Sequence, residues 1–165
     1  MQTLLPLARE IGDLLKKRGE TVAISESSTG GLVSAALLSV PGASAYYLGG
    51  AVVYTKKARE VLIDLPAKTL IEADATKPLS EPFVLLLSET LRNQFGATWA
   101  LAEIGAAGPA GSRYGDPAGT ACLGLAGPEG LQMAMTVKTG ILEDREANMR
   151  AFGAASLQLL LENLH

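Results

Sequence analysis

The chain has 165 residues, 48% of them hydrophobic and 19% charged, with a formal net charge of −3. That length suits one domain with a substantial core, and the composition excludes a disordered polymer. The acidic balance speaks against nucleic acid as a partner, and the single cysteine, Cys122, excludes an internal disulfide or a thiolate metal cluster.

Leu4, Leu7, Ala8, Ile11, Leu14 and Leu15 recur at i, i+3, i+4 spacing. They predict an amphipathic helix, ended by Lys16-Lys17-Arg18 and Gly19. Residues 21–24, Thr-Val-Ala-Ile, have the length and β-branching of a buried strand. The apolar stretch 32–38 reads as a buried helix, broken at Pro41-Gly42. Between them lies Ser25-Glu26-Ser27-Ser28-Thr29-Gly30-Gly31, a hydroxyl-rich turn that ends in two glycines. A helix starting there points unpaired N–H groups and a partial positive charge at the turn, and glycine lets a bound group come close. The hydroxyls have two uses open to them, capping the helix or attacking a substrate.

Residues 46–55 read as a second strand with Gly49-Gly50 inside it. Residues 56–63 predict a short helix, and 66–73 another short helix or a turn. Ser80-Glu81-Pro82 starts a longer helix whose core face is Phe83, Leu86, Leu87, Thr90 and Leu91, ended by Gly96. Residues 98–102 form a third strand. The stretch 105–117 is broken by Gly105, Gly108, Pro109, Gly111, Gly115 and Pro117 and predicts a loop long enough to suggest function. Two strands, 118–125 and 131–138, flank the hairpin turn Gly127-Pro128-Glu129-Gly130. A final helix spans 143–164, with Asp144 and Glu146 placed well for its dipole.

Helices separated by short strands, plus one hairpin, predict an α/β fold. The expectation is a single domain over residues 1–165, a three-layer α/β/α sandwich with a mixed, mostly parallel sheet. The only histidine, His165, ends the chain. Its position speaks against a Ser-His-Asp triad and a histidine metal site. No apolar run reaches the ~18 residues that a membrane span needs, and no basic-headed apolar leader opens the chain. A cytoplasmic protein with no membrane partner is the expectation.

Six motifs then occur in order. They are Glu26-Ser27-x-Thr29-Gly30-Gly31, Gly49-Gly50-x-Val52-x-Tyr54-Thr55 with Ala58 beyond, Ser80-Glu81-Pro82, Gly105-x-x-Gly108-Pro109, Pro117-x-Gly119-Thr120 and Asp144-Arg145. Together they resemble the CinA C-terminal domain family, which includes nicotinamide mononucleotide deamidases, over nearly the whole chain. The resemblance implies an α/β/α fold, no metal, no cofactor and a homo-oligomer. It also implies carboxamide hydrolysis that releases ammonia, by a serine in the E-S-x-T-G-G turn assisted by a tyrosine and a lysine.

Carried over by residue, the catalytic positions fall on Ser27, Tyr54 and Arg59. Contacts to a nucleotide-like small molecule fall on Glu26, Ser28, Thr29, Gly30, Gly31, Gly105, Gly108 and Arg113. Arg59 is a departure, because the family has lysine there. A desolvated lysine can take the serine proton, whereas an arginine stays protonated. Ser28, the Glu103-Ile104-Gly105 run and Arg113-Tyr114-Gly115-Asp116 also depart from the family pattern and mark a divergent subgroup. Three functions follow as expectations. The first is a nicotinamide-nucleotide amidase. The second is a nucleotide-binding module whose catalysis is impaired at Arg59. The third is a structural oligomer whose glycine loops serve subunit contacts.

Overall fold

Val22 and Ile24 are β-branched, apolar and fully covered, and they build the central strand β1 (Val22–Glu26). β1 pairs in parallel with β2 (Tyr47–Val52) on one side and with β3 (Trp99–Ala106) on the other. β4 (Thr120–Ala126) pairs antiparallel with β3, and β5 (Gln132–Lys138) antiparallel with β4. The sheet order is therefore β2-β1-β3-β4-β5. Four strands run one way and β4 alone runs against them, so the mostly parallel sheet expected from the sequence is present. The computed structural model describes residues 1–165.

One face of the sheet is covered by α1 (Leu5–Arg18), α2 (Leu32–Leu38) and α6 (Arg145–Asn163). Leu4, Ala8, Ile11 and Leu15 bury the predicted stripe of α1 in this layer, alongside Phe152 and Leu160 of α6. The opposite face carries α5 (Glu81–Phe95), with α3 (Lys56–Leu62) and α4 (Ala67–Glu72) leading into it. Phe83, Val84, Leu87 and Leu91 of α5 pack there on Ala23, Ala100 and Ala102. The Ser80 hydroxyl accepts from the Phe83 N–H and starts α5, and left-handed Gly96 ends it, both as predicted. No helix is long and apolar enough to cross a membrane.

Several boundaries differ from the sequence reading. β2 ends at Val52, three residues before the predicted end, so Tyr54 lies beyond the strand, and β4 starts at Thr120, two residues after its predicted start. β3 runs four residues past the predicted end at Ala102, because residues Glu103 to Ala106 find ladder partners in Leu123 to Thr120 of β4. Glu103 therefore lies inside a strand and not at its end. Asp144 is the N-cap of α6 and accepts from the Ala147 N–H at 2.9 Å, so Arg145 opens the helix.

The connections position the site. The chain leaves β1 for α2 on one face, and leaves its parallel neighbour β2 for α3 on the other. Parallel strands whose exits diverge leave a crevice at their carboxyl ends, the usual ligand site of an open α/β sheet. The loop between β3 and β4 closes one wall of it.

Candidate active site

The hydroxyl turn between β1 and α2 is organised by two buried carboxylates. Glu26, 1% exposed, ends β1 and accepts from the N–H groups of Gly31, Val33 and Ser34 at 2.8–3.1 Å and from the hydroxyls of Thr29 and Ser34. It satisfies the orphan donors at the start of α2, whose capping residue Gly31 takes a left-handed φ of 97°. Glu103, also 1% exposed, reaches across from β3. Its Oε2 accepts from the N–H groups of Ser27 and Thr29, each at 3.0 Å, and lies 2.9 Å from the Thr29 hydroxyl oxygen; its Oε1 meets the Ser28 hydroxyl. Burial holds the Glu103 carboxyl above the usual carboxylate range, against the opposing bonds from Ser28, Thr29 and Ser27.

These bonds change the expected chemistry of the turn. The N–H groups of Ser27, Thr29 and Gly31 are already donated within the protein, and that of Gly30 goes to the Ser27 carbonyl. Only the Ser28 N–H has no protein acceptor. A phosphate at the start of α2 is therefore excluded, since Glu26 fills that place. Glu26, Ser28, Thr29, Gly30 and Gly31 do not line the adjoining cavity; they hold the turn. The side chains of Glu26, Ser28 and Thr29, and both glycines, are thus engaged in the turn's own bonding and stand off the cavity wall, where the sequence had placed them as ligand contacts.

The remaining expected residues converge. A cleft of about 670 Å³ is lined by Ser27, Tyr54, Arg59, Gly105, Gly108 and Arg113 together, from three separate segments of chain. Ser27 is 7% exposed, and its hydroxyl makes no bond within the protein. The N–H that follows it, on Ser28, is the free donor of the turn. Gly105 is required sterically: a Cβ there would fall 2.6 Å from Ser28 Oγ and 3.1 Å from the Phe152 ring. Arg113 lies on the exposed loop wall, its guanidinium 6.0 Å from the Tyr114 ring centre. That loop is pinned by Asp116, which pairs with Lys77 at 2.7 Å and accepts from Ser112.

Arg59 is half-buried, its guanidinium 5.2 Å from the centre of the Phe83 ring, and no carboxylate pairs with it. Its Nε is buried without a partner. Lys56 also borders the cleft but stands on the rim, 79% exposed and 3.7 Å from Glu60. Lys57 does not line it.

Three further residues line the cleft besides those given catalytic or binding positions from the sequence. Arg145 donates from Nη1 to the Gly108 carbonyl at 2.7 Å and from Nη2 to the Tyr54 hydroxyl at 3.3 Å. A cation in the first turn opposes the helix dipole, and that misplacement was a signal available in the sequence. Glu103 borders the cleft from within β3. Ser25 of β1 also lines the cleft, and its buried hydroxyl has no partner.

The fold is an α/β/α sandwich with a hydroxyl- and arginine-lined cleft at the carboxyl ends of its parallel strands. The chain belongs to the CinA C-terminal domain family, whose model matches residues 4–164. A CinA-like protein of Desulfosudis oleivorans is 37% identical over 160 residues, 97% of this chain and 38% of that protein. One from Synechococcus sp. is 42% identical over 127 residues, 77% of this chain and 30% of that protein. The chain thus spans about a third of the curated relatives it matches. Among solved structures, a CinA superfamily protein from Klebsiella pneumoniae superposes with a TM-score of 0.85 at 28% identity, covering 98% of this chain and 97% of that one. One from Enterobacter cloacae gives 0.86 at 26% identity, covering 98% and 92%.

Proposed function

We propose that the cleft hydrolyses the carboxamide of a nicotinamide nucleotide, with Ser27 as nucleophile. The observation that carries this reading is the unbonded Ser27 hydroxyl, which shares one cavity with Tyr54 and Arg59. Ser27 Oγ forms an ester bond to the carboxamide carbon. The C–N bond breaks, and ammonia leaves with a proton from the Tyr54 hydroxyl, which takes the serine proton in exchange. Arg145 donates to the Tyr54 oxygen, so the phenol's own proton is free to point at the leaving nitrogen. Water then hydrolyses the ester to the acid. The Ser28 N–H is the oxyanion donor of this scheme, a role worth about 3–4 kcal/mol in other enzymes. The test is incubation with nicotinamide mononucleotide. Equal amounts of ammonia and acid support the reading, and Tyr54→Phe slows their release.

Arg59 favours a second reading. A guanidinium cannot act as the resting base that the family lysine supplies. The protein is then a binding module, which a nucleotide stabilises by mass action without turning over. A homo-oligomer located in the cytoplasm remains part of the proposal under either reading, and size-exclusion chromatography with light scattering tests the assembly.

A further inference from the structure

The two unpartnered buried polar side-chain atoms that border the cleft are Ser25 Oγ and Arg59 Nε. Buried donors and acceptors without partners are rare and costly, so a fold keeps them where something else completes the bond. We infer that Ser25 and Arg59, with Phe83 behind the guanidinium, form a subsite for one anionic oxygen group of the ligand, a phosphate or a carboxylate.

The other cations of the cleft are committed or remote. Arg145 is spent on Tyr54 and Gly108, Lys56 faces Glu60 on the rim, and Arg113 stands on an exposed loop. Arg59 alone is half-buried and free of any acid. The Phe83 ring lies 5.2 Å from the guanidinium carbon, and a planar fork suits two oxygens of one group better than a flexible ammonium does. Ser25 is 1% exposed and donates from the sheet, a direction in which no protein acceptor lies. Ser25, in β1, and Ser27, just beyond its end, line the same cleft.

This inference rests on the cleft as a ligand site and not on the chemistry of Ser27. The experiment titrates the full chain with inorganic phosphate and, separately, with nicotinate, at constant ionic strength, and follows the melting temperature. Either anion should raise it saturably, and whichever does so identifies the group. Arg59→Met should weaken the half-saturation at least about tenfold, and Ser25→Ala severalfold. Arg59→Lys should keep a reduced response, which separates lost recognition from lost folding. No rise with either anion, or an equal rise in wild type and Arg59→Met, would overturn the subsite. Because ammonia is not read here, saturable binding by a protein without turnover supports the subsite while counting against the hydrolase.

Discussion

Arg145 and Tyr54 lie 91 positions apart and meet at the mouth of the cleft, Nη2 to phenol oxygen at 3.3 Å. The same guanidinium holds the Gly108 carbonyl at 2.7 Å. One side chain thereby ties the strand exit that carries Tyr54 to the loop that forms the opposite wall. Arg145→Met should lower the rate of ammonia release about tenfold or more, by freeing both. Its stability should change little, because the residue is exposed and a cation in the first turn of α6 gains nothing from the dipole. Arg145→Lys should recover only part of the rate, since one ammonium cannot serve both acceptors as a fork does.

Glu103 gives the protein a pH signature. Its carboxyl titrates above the usual range because burial disfavours the charge. A carboxyl raised in the folded state lends stability that is complete below its unfolded value. That stability is lost as pH rises through the folded value. Urea denaturation across that range should show stability falling as pH rises, and Glu103→Gln should flatten the slope. Glu103→Ala should cost about 2–6 kcal/mol, since it strands the N–H groups of Ser27 and Thr29.

Glu26 is a structural residue in this account. Glu26→Ala removes the acceptor for three N–H groups at the start of α2 and should cost about 3–5 kcal/mol in a denaturant titration. Phosphate should not rescue the variant, because the anion subsite inferred above is in the cleft at Arg59, which Glu26 does not line.

Asp116 governs the loop and not the fold. Burial opposes its charge, yet the bonds from Lys77 and Ser112 outweigh that and hold its carboxyl below the usual range. The loop is accordingly pinned above the ordinary aspartate value and released as pH falls through the lowered one. Asp116→Asn should speed proteolytic nicking between Ala107 and Gly119, with a global change of about 0–1 kcal/mol.

The architecture was legible because its signals are local. The α1 stripe, the Ser80 cap, the glycine stops and the Gly127-Pro128-Glu129-Gly130 hairpin each act over a few residues, and the structure contains all of them. The convergence of Ser27, Tyr54 and Arg59 came from the motif order, which compresses information about contacts distant in sequence. What the turn does with its own N–H groups was not legible. It depends on Glu103 arriving from β3, 76 positions beyond Ser27, and on β3 running past Ala102. A polar residue in a strand read alone does not disclose which donors it will meet. The vacant hydroxyl of Ser25 was equally hidden, since lack of a partner is a property of the packed molecule.

The central claim is that the Ser27 hydroxyl attacks the carboxamide in this cleft. Its most direct measurement is ammonia release from nicotinamide mononucleotide by the wild type and by Ser27→Ala, with equal melting temperatures checked beforehand. The account predicts release by the wild type and a loss of about a thousandfold or more in the variant. A variant that keeps the wild-type rate would contradict it.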